Sequence, residues 1–462
     1  MRWHASEPSS GPAEAESTVD PDAGRGAHDE QPVRATIAGG HPLRGSYLTP
    51  GAKNVVLPMM AACLLTDETC VIQNVPIISD VLVMADLLRQ LGAEVALDAQ
   101  EHTVTITAAD VRSSSPNPDL VQRMRASFQV TGPLLARFGR FDCAAPGGCQ
   151  LGARPVSVDI TGFQGMGATV ALAQGVFHAE ADALYGRRLY LDYPSHTGTQ
   201  NLLMAATLAN GYTTIVHASR EPEVVALVQF LRGMGAEIHG EGTSLIGVQG
   251  RGHLYGTVAR AIPDRMVGGT MAVAAALTGG DVELLNVRPD HLEPVTVQLR
   301  EMGVDVIETN RSVRVVAPDT LGATDVQVMP FPGFPTDVQA PMGVLMTQAY
   351  GVSTIVERVF DSSMGYMDSL AAMGADVSVQ GTRAVVRGPR QLRGRHINLE
   401  HSIRGMTALT LAGLVAEGAT VLDGFEFVRR GYEDLAGDLR GLGAVITTEP
   451  QAAPVRRAAA AV

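Results

Sequence analysis

The chain has 462 residues, enough for two or three domains. With 18% charged and 45% hydrophobic residues it has the make-up of an ordinary water-soluble globular protein. A net charge of −13 argues against general nucleic-acid or anionic-membrane binding, so an anionic substrate needs a local basic pocket set against the overall field.

Residues 1–33 are rich in Ser, Pro, Gly, Ala and acids, lack a basic-then-apolar leader and read as a disordered tail. Residues 34–52 precede the first helix and read as strand that pairs with the end of the chain. Pro50-Gly51-Ala52-Lys53-Asn54 leads into an apolar helix, Val55–Leu65. Glycine followed by a cation at a helix start suits an anion, and equally an ordinary turn beside a solvated lysine. The segment Asp119–Gly139 carries a helical stripe of Leu120, Met124 and Phe128, which leaves Arg125 off the stripe, facing either a cleft or solvent.

Pro146-Gly147-Gly148-Cys149 with Gly152-Ala153-Arg154-Pro155 puts a cysteine in a glycine-rich loop and an arginine five residues later. Glycines allow close backbone approach to a ligand. A nearby cation favours the reactive thiolate, and guanidinium suits phosphate or carboxylate. A lone cysteine is otherwise more often a buried structural residue. Phe331-Pro332-Gly333-Phe334-Pro335-Thr336-Asp337 ends a stiff loop with a carboxylate, either a general base or the N-cap of a helix starting near Val338. Ser402-Ile403-Arg404 and Arg429-Arg430-Gly431-Tyr432-Glu433 supply further cations, and residues 450–462 read as a frayed tail. The four cysteines, Cys63, Cys70, Cys143 and Cys149, form no metal spacing and fit a reducing cytoplasm. No apolar run is long enough to span a membrane.

One signature recurs six times, as in Leu91-Gly92-Ala93-Glu94-Val95 and Met234-Gly235-Ala236-Glu237-Ile238. Its glycines are Gly92, Gly167, Gly235, Gly303, Gly374 and Gly443, 68 to 75 residues apart. Each follows an apolar-periodic helix, such as Asp80–Gln90 or Pro222–Arg232, and precedes a β-rich stretch, as a helix C-cap does. Between them recurs an apolar helix followed by a β-branched strand: Asn201–Asn210 before Tyr212–His217, Met271–Thr278 before Val282–Val287, Thr407–Glu417 before Thr420–Leu422. The unit is a small α/β subdomain with inner helices and outer strands, used six times. It divides into a first lobe over 53–262 and a second over 34–52 plus 263–449, with a ligand cleft between them.

The strings Gly51-Ala52-Lys53-Asn54, Met124-Arg125-Ala126-Ser127, Pro146-Gly147-Gly148-Cys149, Gly152-Ala153-Arg154-Pro155-Val156, Arg220-Glu221-Pro222-Glu223, Pro263-Asp264-Arg265, Phe334-Pro335-Thr336-Asp337 and Arg430-Gly431-Tyr432-Glu433 together resemble the enolpyruvyl transferases. The likeness is strongest to the branch that acts on UDP-N-acetylglucosamine in peptidoglycan precursor synthesis. It implies a two-lobed inside-out α/β barrel of six βαβαββ repeats, with phosphoenolpyruvate and a uridine nucleotide as small-molecule substrates. It further implies Cys149 as proton donor and Asp337 as acceptor of the hydroxyl proton, with Lys53 as a catalytic cation. Lys53, Arg125, Arg154 and Arg430 would surround the phosphate and Arg404 the carboxylate. Asn54, Arg154, Pro155, Val156, Ser157, Val158, Ser195, Thr197, Asp337 and Val359 would hold the nucleotide. No metal or cofactor is implied, because the cations supply the electrostatics.

The chain also departs from that pattern. Ser363 stands where the resemblance would have an arginine on the carboxylate, with Arg358 nearby. Gln129 stands for a tryptophan, Asp159 for a histidine and Tyr193 for a lysine, and Arg429 adds a cation beside Arg430. Fewer cations near a diphosphate favour an alternative acceptor, UMP or a related nucleotide, as in nucleoside antibiotic biosynthesis. A non-catalytic nucleotide-sugar-binding paralogue is a third reading, supported by Ser363 and opposed by the joint presence of Cys149 and Asp337.

Overall fold

The apolar stretches become helices with almost no polar face. In Arg265–Leu277 every residue but Met266 is buried, and in Ile403–Val415 every residue but the two ends. The helix Lys53–Ala62 is buried from Val55 onward and continues as a short 3-10 turn, Cys63–Leu65. Helices apolar all round belong inside a protein. The strands instead alternate buried and half-buried positions, as in Thr103–Thr107 and Asp281–Leu285, so one face of each is laid on the helices and the other is turned towards water.

The computed structural model describes residues 31–147, 156–398 and 402–451. Among these the fold is mixed α/β, with five four-stranded sheets and one three-stranded sheet, none of them closed into a barrel. No helix among the described residues is long and apolar enough to cross a membrane.

Buried apolar residues form two clusters. One draws on Ala52 to Ala261 and the other on Ala35 to Tyr47 together with Val267 to Ile446. The strand Val33–Ala38 lies between Ala419–Asp423 and Val445–Pro450, antiparallel to both, and Arg44–Leu48 runs parallel to Asp281–Leu285. Val33 and Pro450, which the sequence reading set at the edges of the two tails, pair directly, and Gln451 N donates to Pro32 O at 2.7 Å.

All six signature glycines take positive φ, between 92° and 111°, directly after a helix. An L side chain at such a position strains the backbone, so glycine ends the helix and turns the chain into the next strand. The helix starts differ from the sequence expectation. The helices read as Asn201–Asn210, Met271–Thr278 and Thr407–Glu417 begin at His196, Arg265 and Ile403. Their N-caps are Ser195, Asp264 and Ser402, whose side chains accept backbone N–H groups of the first turn.

The Asp119–Gly139 stretch is not one helix. Asn117 caps Pro118–Arg123, Met124 is extended, Arg125–Val130 is a 3-10 turn and Thr131–Phe138 is a second helix. The turn rests on an edge-to-face aromatic cluster: Phe128 and Phe141 are 6.2 Å apart, and Phe141 and Phe163 are 5.9 Å apart. Phe141 is wholly buried at its centre. Phe141→Ala is therefore expected to lower the unfolding free energy by roughly 3–5 kcal/mol, read as a shifted urea midpoint.

Candidate active site

The two cores meet where the backbone passes twice between them. Ala52 N donates to Ile262 O at 2.8 Å, and Asp264 N to Pro50 O at 2.8 Å, so the two passages run side by side. Asp264 then secures a helix on each side. Its Oδ1 accepts from Met266 N and Val267 N at 2.8 and 3.1 Å, and its Oδ2 accepts from Lys53 N at 3.1 Å. Burial raises the pKa of this carboxyl, and the three backbone donors favour its ionised form. One residue thus caps Arg265–Leu277 and starts Lys53–Ala62, fixing where Lys53 enters the cleft.

That cleft has a volume of about 730 Å³. Its walls carry Lys53, Asn54, Arg125, Ser157, Val158, Ser195, Thr197, Asp337, Val359, Arg404 and Arg430. These are all the described candidates except Val156, which is only 8% exposed and packs into the first core instead. Cys149, Arg154 and Pro155 lie outside the described residues. The root of their loop is described: Gly147 N reaches Val121 O at 3.4 Å, and a Cβ on Gly147 would fall 1.8 Å from Gln122 O. Only glycine allows that approach.

Arg125 reaches the cleft because the chain breaks at Met124, not because it lies off a helical stripe. The buried Asn201 supports it from behind. Its Nδ2 donates to Asp159 Oδ1 at 2.8 Å, to Thr131 Oγ1 at 3.0 Å and to Phe128 O at 3.3 Å, and its Oδ1 accepts from Gly132 N at 2.8 Å. Asp159 is 3% exposed and off the cleft wall, so the charge it substitutes for a histidine does not face the ligand space. Burial pushes its pKa up to about 6, against the hydrogen bond from Asn201 and the nearby Arg125. Gln129 also stays behind the wall, donating to Gln200 Oε1 at 2.6 Å, and Gln200 in turn reaches Asn54 O at 3.4 Å.

Asp337 does not cap its helix. Gln339–Met346 has Val338 at the N-cap position and no side-chain cap. The carboxylate turns to Arg404, whose Nε and Nη2 both donate to Asp337 Oδ1, at 2.8 and 2.6 Å. Arg404 is 8% exposed and its guanidinium lies 4.9 Å from the Phe360 ring centroid. Among the described residues its Nη1 is buried with no hydrogen-bond partner, a donor left over for an anion. Ser363 is buried and donates to Glu357 Oε2 at 3.4 Å. Arg358 and Arg429 are both exposed and off the cleft wall.

Sequence reasoning assigned no role to several charged residues on these walls, Asp80, Glu221 and Arg265 among them. Asp80 pairs with Lys53 and Arg430, at 3.4 and 2.8 Å. Arg265, 6% exposed, binds Glu223 at 2.8 Å and also Glu221, while Glu221 accepts from Phe331 N at 3.1 Å. A residue of the first core thus holds the loop that carries Asp337. Tyr193 stands on the wall, and burial, with Glu221 and Glu357 adding to it, raises its phenol pKa.

A family profile described as EPSP synthase (3-phosphoshikimate 1-carboxyvinyltransferase) matches residues 37–439. A UDP-N-acetylglucosamine 1-carboxyvinyltransferase of Magnetococcus marinus is 43% identical over 411 residues, 89% of this chain and 98% of the relative. One of Halothermothrix orenii is 41% identical over 410 residues, with the same shares covered. Among solved structures, the enolpyruvyl transferase NikO from Streptomyces tendae aligns with a TM-score of 0.83 at 26% identity, over 92% of this chain and 100% of NikO. An EPSP synthase from Acinetobacter baumannii shares the fold, with a TM-score of 0.70 at 19% identity over 90% of this chain and 100% of that one.

The raised pKa of Asp159 has a signed consequence. The folded state holds this proton up to about pH 6, whereas an unfolded aspartate loses it near pH 4. Stability from this group is therefore present below about pH 4 and lost as pH rises towards 6. Asp159→Asn keeps an acceptor for Asn201 and removes the titration. Its unfolding free energy, relative to the native protein, is expected to rise between pH 4 and pH 6 in parallel urea titrations.

Proposed function

The chain belongs to the EPSP synthase family of enolpyruvyl transferases, and we propose that it transfers the enolpyruvyl group of phosphoenolpyruvate to a hydroxyl of UDP-N-acetylglucosamine, releasing inorganic phosphate. The observation that carries this reading is the single cleft in which Lys53, Arg125, Arg404, Arg430 and Asp337 meet. Relatives 41% and 43% identical that bear the name of this activity support the choice of acceptor.

Phosphoenolpyruvate carries a phosphate and a carboxylate, and Lys53, Arg125, Arg154 and Arg430 take the first while Arg404 takes the second. Cations fixed before the reaction stabilise charge that develops during it at no cost in reorganisation. Cys149 gives a proton to C3, which leaves C2 electron-poor. The acceptor hydroxyl attacks C2 and passes its proton to Asp337. The resulting tetrahedral ketal still bears the phosphate. The Cys149 thiolate then takes back a proton from C3 as the C2–O bond to phosphate breaks, giving the enol ether and inorganic phosphate, and the departing phosphate carries off the proton held by Asp337. Asn54, Ser157, Val158, Ser195, Thr197 and Val359 hold the nucleotide-sugar, together with Arg154 and Pro155. We read the two cores as two lobes, 53–262 and 34–52 plus 263–449, each an inside-out α/β barrel of three βαβαββ repeats. Work on these small molecules implies a cytoplasmic setting.

A second reading, with UMP or a related nucleotide as acceptor, is favoured by the likeness to NikO and by Tyr193 on the cleft wall in place of a cation. Phosphate release from phosphoenolpyruvate, followed with each acceptor, separates the two. UDP-N-acetylglucosamine is expected to give the larger kcat/KM; a larger value with UMP would reverse the order. No acceptor-dependent release with either nucleotide would remove the enzyme reading altogether. Cys149→Ser is expected to cut turnover by roughly 100-fold or more, the scale of a lost general acid.

A further inference from the structure

We propose that Asp80 is a positioning residue that acts as an internal counter-ion: it holds Lys53 and Arg430 when the cleft is empty of anion and limits how tightly phosphate is bound there. The proposal rests on the functional reading above.

Asp80 lies in the first turn of Ser79–Leu91 and lines the cleft. Its Oδ1 accepts from Arg430 Nε at 2.8 Å, while its Oδ2 lies 3.4 Å from both Arg430 Nη2 and Lys53 Nζ. Lys53 Nζ also donates to Arg430 O at 3.2 Å. One carboxylate therefore gathers a cation from each core. An arriving phosphate meets Asp80 across the same two cations.

The contrast with Arg265 shows why this is not only a strut. Arg265 has a side chain 5% exposed and two carboxylates, Glu221 and Glu223, so its charge is more than balanced and almost wholly buried. Lys53 and Arg430 keep 21% and 16% of their side chains exposed, share Asp80 and face the ligand space. The tie between the two segments does not depend on Asp80 alone, because Ile77 N also donates to Glu433 Oε1. A negative charge kept beside the phosphate weakens its hold, which helps the leaving phosphate depart once the ketal collapses.

The test is calorimetric titration of inorganic phosphate and of phosphoenolpyruvate into the native protein and Asp80→Asn, with steady-state kinetics alongside. Asparagine keeps the shape and one acceptor for Arg430 but removes the charge. The expected result is phosphate binding about tenfold tighter, the scale of losing one nearby like charge, with a lower KM for phosphoenolpyruvate and a lower kcat as product release slows. Unchanged or weaker phosphate binding, or a raised KM, overturns the proposal and marks Asp80 as a strut. Failure of both Asp80→Asn and Asp80→Ser to fold, judged by melting curves, overturns it equally. A native protein that binds neither titrant brings down the functional reading first, and this proposal with it.

Discussion

Burying a cation requires a carboxylate within reach, and this constraint shapes the cleft more than any other. A guanidinium or ammonium taken out of water without a partner costs several kcal/mol. Asp80, Asp337, Glu221 and Glu223 each meet that need for a cleft cation, and each pairing spans sequence-distant segments. Asp80 with Arg430 and Glu221 with Arg265 join residues on either side of the two backbone passages, so the same bonds that keep the charges buried also hold the cores in register. Asp264, between the passages, converts that register into the position of Lys53.

Preorganisation follows from this arrangement. Arg404 is fixed by two bonds to Asp337 and by the Phe360 ring, and among the described residues its Nη1 has no partner. Arg125 is fixed indirectly, through the turn that Asn201 and the phenylalanine cluster hold in place. The cations are set by the protein rather than drawn into place by the ligand, the arrangement that electrostatic catalysis needs.

Some of this was legible in the sequence and some was not, for physical reasons. The six glycines were legible because a left-handed helix end tolerates little else, and all six have that conformation. The cleft candidates were legible as strings, and the described ones meet in one cavity with the exception of Val156. Helix starts were not legible. Apolar periodicity begins only after the first turn, and in His196–Thr207 the first turn is polar because it faces the cleft. The functional turns were hidden by the chemistry that makes them functional. Asp80 looked like any acid in a helix's first turn and Asp337 like any N-cap, because what distinguishes both is a partner far along the chain. The break at Met124 has no local signal beyond the propensities it overrides.

The pairing of Val33–Ala38 with the last strands bears on how the protein is made. The first core is drawn from a continuous stretch and has all its residues once Ala261 has been synthesised. The second core starts earlier, at Ala35, yet its sheet is complete only with Val445–Pro450. At ~5–20 residues per second, the opening strand waits roughly 20–80 s for its partners. Throughout that time it is an unpaired edge, open to association with other chains. Arg44–Leu48 waits less, since Asp281–Leu285 is made sooner. The order of synthesis therefore favours assembly from the middle outward, with the earliest-made strand among the last to settle.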